Sequence, residues 1–189
     1  MQTRYTGFVM LGMTQAAERA GVSRRTIWRY VRDGRLPSVL QGQRRLVDAA
    51  AVDQRFALHR DLADILITRW ARYLARMRPA PLAVTLFGSA ARHEPAPHDI
   101  DVLMVVPAGQ HNHPDYHRVY HALWTQAAAV SDLPANILVI DTDELARGAY
   151  GAAEMLLVDI VRDGIDCGPH TLTELLRNVL KATSPGSAA

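Results

Sequence analysis

At 189 residues, with 49% apolar and 21% charged side chains, the chain is too apolar to be disordered and long enough for two small cores. The net charge of +2 conceals an asymmetry: residues 1–80 hold fifteen arginines, no lysine and six acidic residues (+9), whereas residues 81–189 hold five arginines, Lys181 and thirteen acidic residues (−7), so the first part is drawn to phosphate backbones and the second argues against a polymerase gripping a duplex. One cysteine, Cys167, excludes an internal disulfide, and no stretch of about 18 apolar residues or secretory pattern is visible, so a cytoplasmic protein away from membranes is expected.

Residues 1–12 read as an N-terminal extension. Residues 14–34 read as two short helices joined at Gly21, with Thr14 capping the first and Ser23 the second, because a hydroxyl there accepts an orphan backbone N–H. Ala16, Ala20, Val22, Ile27 and Tyr30 fall on the seam between them; small alanines permit close crossing and Gly21 a tight turn. The opposite face of the second helix carries Arg24, Arg25, Thr26, Trp28, Arg29 and Arg32, the layout of a helix entering the major groove, where arginines reach guanine edges or phosphates. Gly34 and Pro37 end that helix. Residues 38–47 then read as a hairpin turning at Gln41-Gly42-Gln43, with Arg44 and Arg45 on its second arm, and Asp48 caps the next helix.

In this order, residues 13–54 resemble the excisionase and MerR-like winged helix-turn-helix domains. The resemblance implies double-stranded DNA as a partner, held by Ser23, Arg24, Arg25, Thr26, Trp28, Arg29, Arg32, Arg44 and Arg45. Residues 55–80 continue as a helical linker, since Val52, Phe56, Leu62, Ile65, Leu66, Trp70, Tyr73, Leu74 and Met77 recur at helical spacing among arginines 55, 60, 69, 72, 76 and 78. The favoured reading packs this segment on the sheet that follows. The sharper reading makes it the helix of a homodimer, presenting two recognition helices to a palindromic site.

Residues 86–106, LFGSAARHEPAPHDIDVLMVV, are the most informative stretch of the chain. An apolar strand, 81–87, runs into Gly88-Ser89, where backbone N–H groups can approach an anion closely, and the Ala90-Ala91-Arg92 turn follows. After nine intervening residues come Asp99 and Asp101, which straddle Ile100. If 100–106 is a strand, both carboxylates point to one face while Ile100 enters the core. Paired carboxylates repel unless a cation lies between them, and hard oxygen ligands beside a phosphate cradle suit Mg²⁺ or Mn²⁺.

These residues resemble the minimal nucleotidyltransferases of the DNA polymerase β-like superfamily, over residues 81 to about 166. The resemblance implies transfer of a nucleoside monophosphate from an NTP, ATP first, to an acceptor hydroxyl. It assigns nucleotide binding to Gly88, Ser89 and Arg92, and metal binding to Asp99 and Asp101. The third carboxylate of active members matches Asn136, which can coordinate a metal through its oxygen but cannot take a proton. Asp132, Asp141 and Asp143 are the candidate substitutes, with Asp141 at the far end of its strand, roughly 17 Å from Asn136.

The remaining segments read as a helix 115–130, a strand 136–140, helices 142–147 and 149–163, and a final helix 171–182 with Leu172, Leu175, Leu176, Val179 and Leu180 on one side. Three strands with alternating helices imply a small mixed sheet covered on one face. Trp124 reads as core. His117 and His121, one turn apart, are a candidate Zn²⁺ or Ni²⁺ pair with His113 or Asp115, although a polar segment needs no metal to account for it. His98 is placed to touch phosphate.

The expected architecture is thus α+β: a winged helix-turn-helix domain at 13–54, a helical linker at 55–80, a nucleotidyltransferase domain at 81–182 and a disordered tail at 183–189. The expected function is a DNA-binding, Mg²⁺-dependent nucleotidyltransferase acting on a protein, RNA or small molecule. Resemblance to the antitoxin-type members adds a co-expressed toxin as acceptor partner. The alternative is a transcription regulator whose degenerate nucleotidyltransferase domain senses nucleotide.

Overall fold

The computed structural model describes residues 9–149 and 154–183, which fall into two compact units divided between Asp61 and Leu62. Eight residues of the expected N-terminal extension, the first turn of the expected 149–163 helix and nearly all of the expected tail lie outside the described residues.

The first unit opens with a short strand β1 (Met10–Gly12), then helices α1 (Met13–Ala20) and α2 (Arg24–Arg32). Gly21 sits in the left-handed region, φ +69°, and its N–H closes α1 on the carbonyls of Ala17 and Glu18; the αL geometry is why a glycine stands there. Ser23 Oγ accepts the Thr26 N–H at 3.1 Å, as its position before α2 predicts. Thr14 does not cap α1. The helix begins one residue earlier, and Gln15 Oε1 instead accepts the Gly12 N–H at 3.0 Å, so the cap is built from a glycine and a reaching amide. Strands β2 (Ser38–Gln41) and β3 (Arg44–Asp48) form the expected hairpin, to which β1 adds in the order β1-β3-β2, all antiparallel. The Asp48 carboxylate caps α3 (Ala49–Leu74) by accepting the Ala51 N–H. Ala16, Ala20, Ile27, Tyr30, Leu36, Val47, Val52 and Phe56 form the core, whereas Val22 is half-buried. The buried His59 meets Tyr30 and Phe56 edge to face, and those two rings are tilted against each other, with centroids 5.3–5.9 Å apart. An Arg19–Asp53 fork, 2.7 and 2.6 Å, ties α1 to α3.

The second unit is a mixed sheet in the order β6-β5-β4-β7. Strand β4 (Ala83–Phe87) pairs antiparallel with β5 (Ile100–Val106) and with the two-residue β7 (Ile165–Asp166), while β6 (Ala135–Asp141) lies parallel to β5. The helices are α4 (Gly88–Ala91), α5 (Pro114–Val130), α6 (Thr142–Ala149), α7 (Glu154–Asp163) and α8 (Leu172–Thr183). The sheet is covered on both faces, not one. Val84, Leu86, Val102, Met104 and Val106 pack with Leu66, Trp70 and Leu74 of α3 and Val119 and Leu123 of α5. The alternate residues Ala83, Leu103 and Val105 pack with Leu145, Leu157, Ile160, Leu172 and Leu175 of α6, α7 and α8. This period-two division follows from the pleat. The second half of α3 is therefore part of a core, as the favoured packing reading required. Trp124 is 46% exposed: α5 turns Tyr116, Val119, Leu123 and Ala127 inward, and position 124 falls outside that stripe.

Candidate nucleotide site and nucleic-acid face

Parallel pairing of β5 and β6 puts Asp101 opposite Asn136, and antiparallel pairing of β4 and β5 puts Phe87 opposite Asp101, so three strand ends meet at one corner. There Asn136 Nδ2 donates to Asp99 Oδ2 at 3.2 Å and to Asp101 Oδ1 at 3.1 Å. The two aspartates thus share a face, and the residue expected to match the third carboxylate stands against both. Without a cation, the amide N–H₂ supplies the positive end of a dipole between two like charges.

Gly88 adjoins this pair. Its φ is +74°, and a Cβ built on it would meet Asp101 Oδ2 at 2.6 Å, so a glycine is needed twice over, for conformation and for space. Its neighbour's hydroxyl, Ser89 Oγ, is buried without a hydrogen-bond partner, a cost of about 1–3 kcal/mol that a ligand oxygen would relieve. Burial, opposed by the Asn136 bond and reinforced by the Asp99 charge, raises the Asp101 carboxyl above its ordinary value. Two carboxylates, an amide oxygen and an orphaned hydroxyl are hard oxygen donors that suit a divalent cation with a phosphate beside it. Arg92 is engaged with acids rather than free for phosphate: its Nε and Nη2 donate to Glu94 at 3.1 and 2.8 Å, and Asp163 lies 3.9 Å away.

Asp141 and Asp143 lie at the other end of β6, away from this corner. Asp141 ends β6 opposite Val106; it is buried and accepts N–H bonds from Gly109, Asp143 and Glu144, which holds its carboxyl below the usual range. It is the cap of α6. Asp143 is exposed on that helix. His117 and His121 gather no metal-ligand set among the described residues. His113 instead caps α5, its Nδ1 accepting the Asp115 N–H, and among the described residues His111, Asp141 and Glu144 cluster at ligand distance, with Asp141 already accepting three backbone N–H bonds. His98 is exposed.

In the first unit, Ser23 at the cap of α2 and Arg25, Thr26, Trp28, Arg29 and Arg32 on it line one open concavity of about 600 Å³ together with Arg45 of β3. Arg24, Arg44, Trp28 and Arg45 line an adjoining one of about 620 Å³. Trp28, 41% exposed, stands between helix and hairpin and borders both. Arg45 Nη1 donates to Ser38 Oγ at 3.2 Å, and Arg32 pairs with Asp33 at 2.8 Å. The structure thus brings the expected α2 and hairpin residues onto one basic surface.

Residues 10–57 match the family model of a helix-turn-helix domain. The N-terminal unit is a helix-turn-helix domain. The match begins at β1, so these strand residues belong to the helix-turn-helix unit although they lack a pattern in sequence. It supports DNA binding by this unit, and the chain as a whole combines the helix-turn-helix with a mixed helix and sheet unit. No helix among the described residues is long and apolar enough to cross a membrane. No curated protein and no solved structure matches the chain.

Proposed function

We propose that the chain is a DNA-binding nucleotidyltransferase: the helix-turn-helix unit holds double-stranded DNA, and the second unit binds an NTP, ATP first, and transfers its NMP to an acceptor hydroxyl. What carries the reading is the convergence of Asp99, Asp101 and Asn136 beside Gly88 and the orphaned Ser89 hydroxyl. Asp99 and Asp101 would hold Mg²⁺ or Mn²⁺, and the Asn136 side chain, within hydrogen-bond reach of both, could add its amide oxygen. The cation supplies charge neutralisation on the phosphates when bound. Ser89 donates to a phosphate oxygen, and Gly88, with no side chain, lets the loop backbone lie directly against Asp101. The acceptor oxygen bonds to the α-phosphorus, the α–β bridging bond breaks, and pyrophosphate leaves with the bond pair. Because Asn136 accepts no proton, the acceptor's proton passes to water; losing a positioned base costs about 10²- to 10⁴-fold in rate. The acceptor class is a protein, RNA or small molecule, a co-expressed toxin among them.

One observation favours a second reading, a DNA-binding regulator that senses nucleotide without turnover: the amide at position 136 stands where active members of the resembled family hold a carboxylate. Incubation with each α-labelled NTP, Mg²⁺ or Mn²⁺ and candidate acceptors separates the two. Labelled product lost in Asp99→Ala/Asp101→Ala supports transfer. Nucleotide binding with no label transferred supports the sensor, and neither binding nor transfer contradicts both.

A further inference from the structure

Arginines in the second unit mostly meet acids or stand alone. Arg92, Arg118 and Arg162 each hold a carboxylate, at 2.8, 2.9 and 2.7 Å. Arg69, Arg72 and Arg76 do neither. Arg69 and Arg72 on α3 and Arg76 in the turn that follows it stand at spacings of three and four, all exposed, and among the described residues none pairs with a carboxylate; Arg76 Nε reaches only the Arg72 carbonyl, at 3.2 Å. With Tyr73 and Met77 beside them and Gln126 of α5 across, they line an open groove of about 470 Å³. The opposite side of α3, Leu66, Trp70 and Leu74, is locked in the core, so the face that bears Arg69 and Arg72 cannot rotate away. Three like charges gathered without counter-charge repel one another and are relieved by a polyanion.

We infer that this groove is a second nucleic-acid surface, which holds the phosphodiester backbone of double-stranded DNA and reads no bases. From Arg69 to the end of α3 at Leu74 the helix rises about 8 Å, and the turn carries Arg76 beyond it, an axial span of about two to three phosphates on one strand. Arginine, tyrosine and glutamine side chains all serve as donors to phosphate oxygens. The groove is too open to enclose a small ligand, and it contains no acid to reject a phosphate. Its occupant follows from the helix-turn-helix unit of the same chain, which supports DNA as the nucleic acid at hand. The inference does not depend on transfer chemistry at Asp99 and Asp101.

The test uses the full chain in an Arg25→Ala/Arg29→Ala background, which weakens the recognition helix, with a labelled duplex of random sequence over a salt series. Arg69→Ala/Arg72→Ala/Arg76→Ala is expected to weaken the residual binding by about tenfold or more and to reduce the log–log salt slope by about 2 to 3. The matching lysine variants should keep most of that slope, which separates lost phosphate contacts from a folding defect. Arg118→Ala/Arg147→Ala/Arg177→Ala removes the same charge elsewhere in the unit and is expected to stay within about twofold of its parent. Equal losses in both triple-alanine variants would reduce the effect to net charge and overturn the inference. So would unchanged binding, competition by free ATP at concentrations that fill a nucleotide site, or single-stranded RNA binding far more tightly than the duplex.

Discussion

Asp101 bears opposing demands. Burial and the neighbouring Asp99 raise its carboxyl, so the folded chain holds that proton more tightly than the unfolded chain does. Stability of the metal-free protein therefore falls as pH rises through the window just above the ordinary carboxylate value of about 3.9, while metal affinity climbs over the same window. Asp101→Asn removes the conflict: its melting temperature without metal should match or exceed that of the parent at neutral pH. Added Mn²⁺ should raise melting only in the parent, as thermal melts with and without the ion will show. Gly88→Ala works the other way. A side chain at φ +74° that also meets Asp101 Oδ2 is expected to cost about 1–2 kcal/mol of stability and to weaken Mn²⁺ binding about tenfold, measurable by denaturant unfolding and by metal titration.

Among the elements, α2 is the one whose role rests on position rather than chemistry alone. Arg25→Ala should weaken binding to a specific duplex and lower the salt slope by about one if it contacts phosphate, or relax sequence preference if it reads a base; gel-shift titrations against salt distinguish these, and unchanged affinity would remove the helix from the groove. The helix was legible because Gly21 and Ser23 carry local chemistry that nothing distant overrides. Strands β5 and β6 were legible as apolar runs bounded by turn residues, whereas the parallel register that sets Asn136 beside Asp101 is fixed by pairing that no local pattern states. Strands β1 and β7 were not: three and two residues show no period, and they exist because a neighbouring edge offers them hydrogen bonds. The same dependence on distant partners hid the Gly109 bond to Asp141 and the burial of His59 against Tyr30 and Phe56. The histidine pair gathers no ligand set among the described residues, as a polar segment needing no metal implies, and His113 is spent on a helix cap.

At the scale of the whole molecule, charge divides the labour. The helix-turn-helix unit gathers arginines at its surface, and the second unit gathers acids around a corner that needs a cation before it can accept a polyanion. Asn136 decides how far that corner goes. An amide leaves the acid pair with charge for one divalent ion, where a third carboxylate would support two. The central claim is accordingly that Asp99 and Asp101 together hold one cation and, with it, a nucleotide. Titration of the full chain with Mn²⁺, followed by electron paramagnetic resonance with and without ATP, tests it most directly. One bound ion per chain is predicted, tightened by ATP and lost in Asp99→Ala/Asp101→Ala. Equal Mn²⁺ binding by the parent and the double variant would contradict the account.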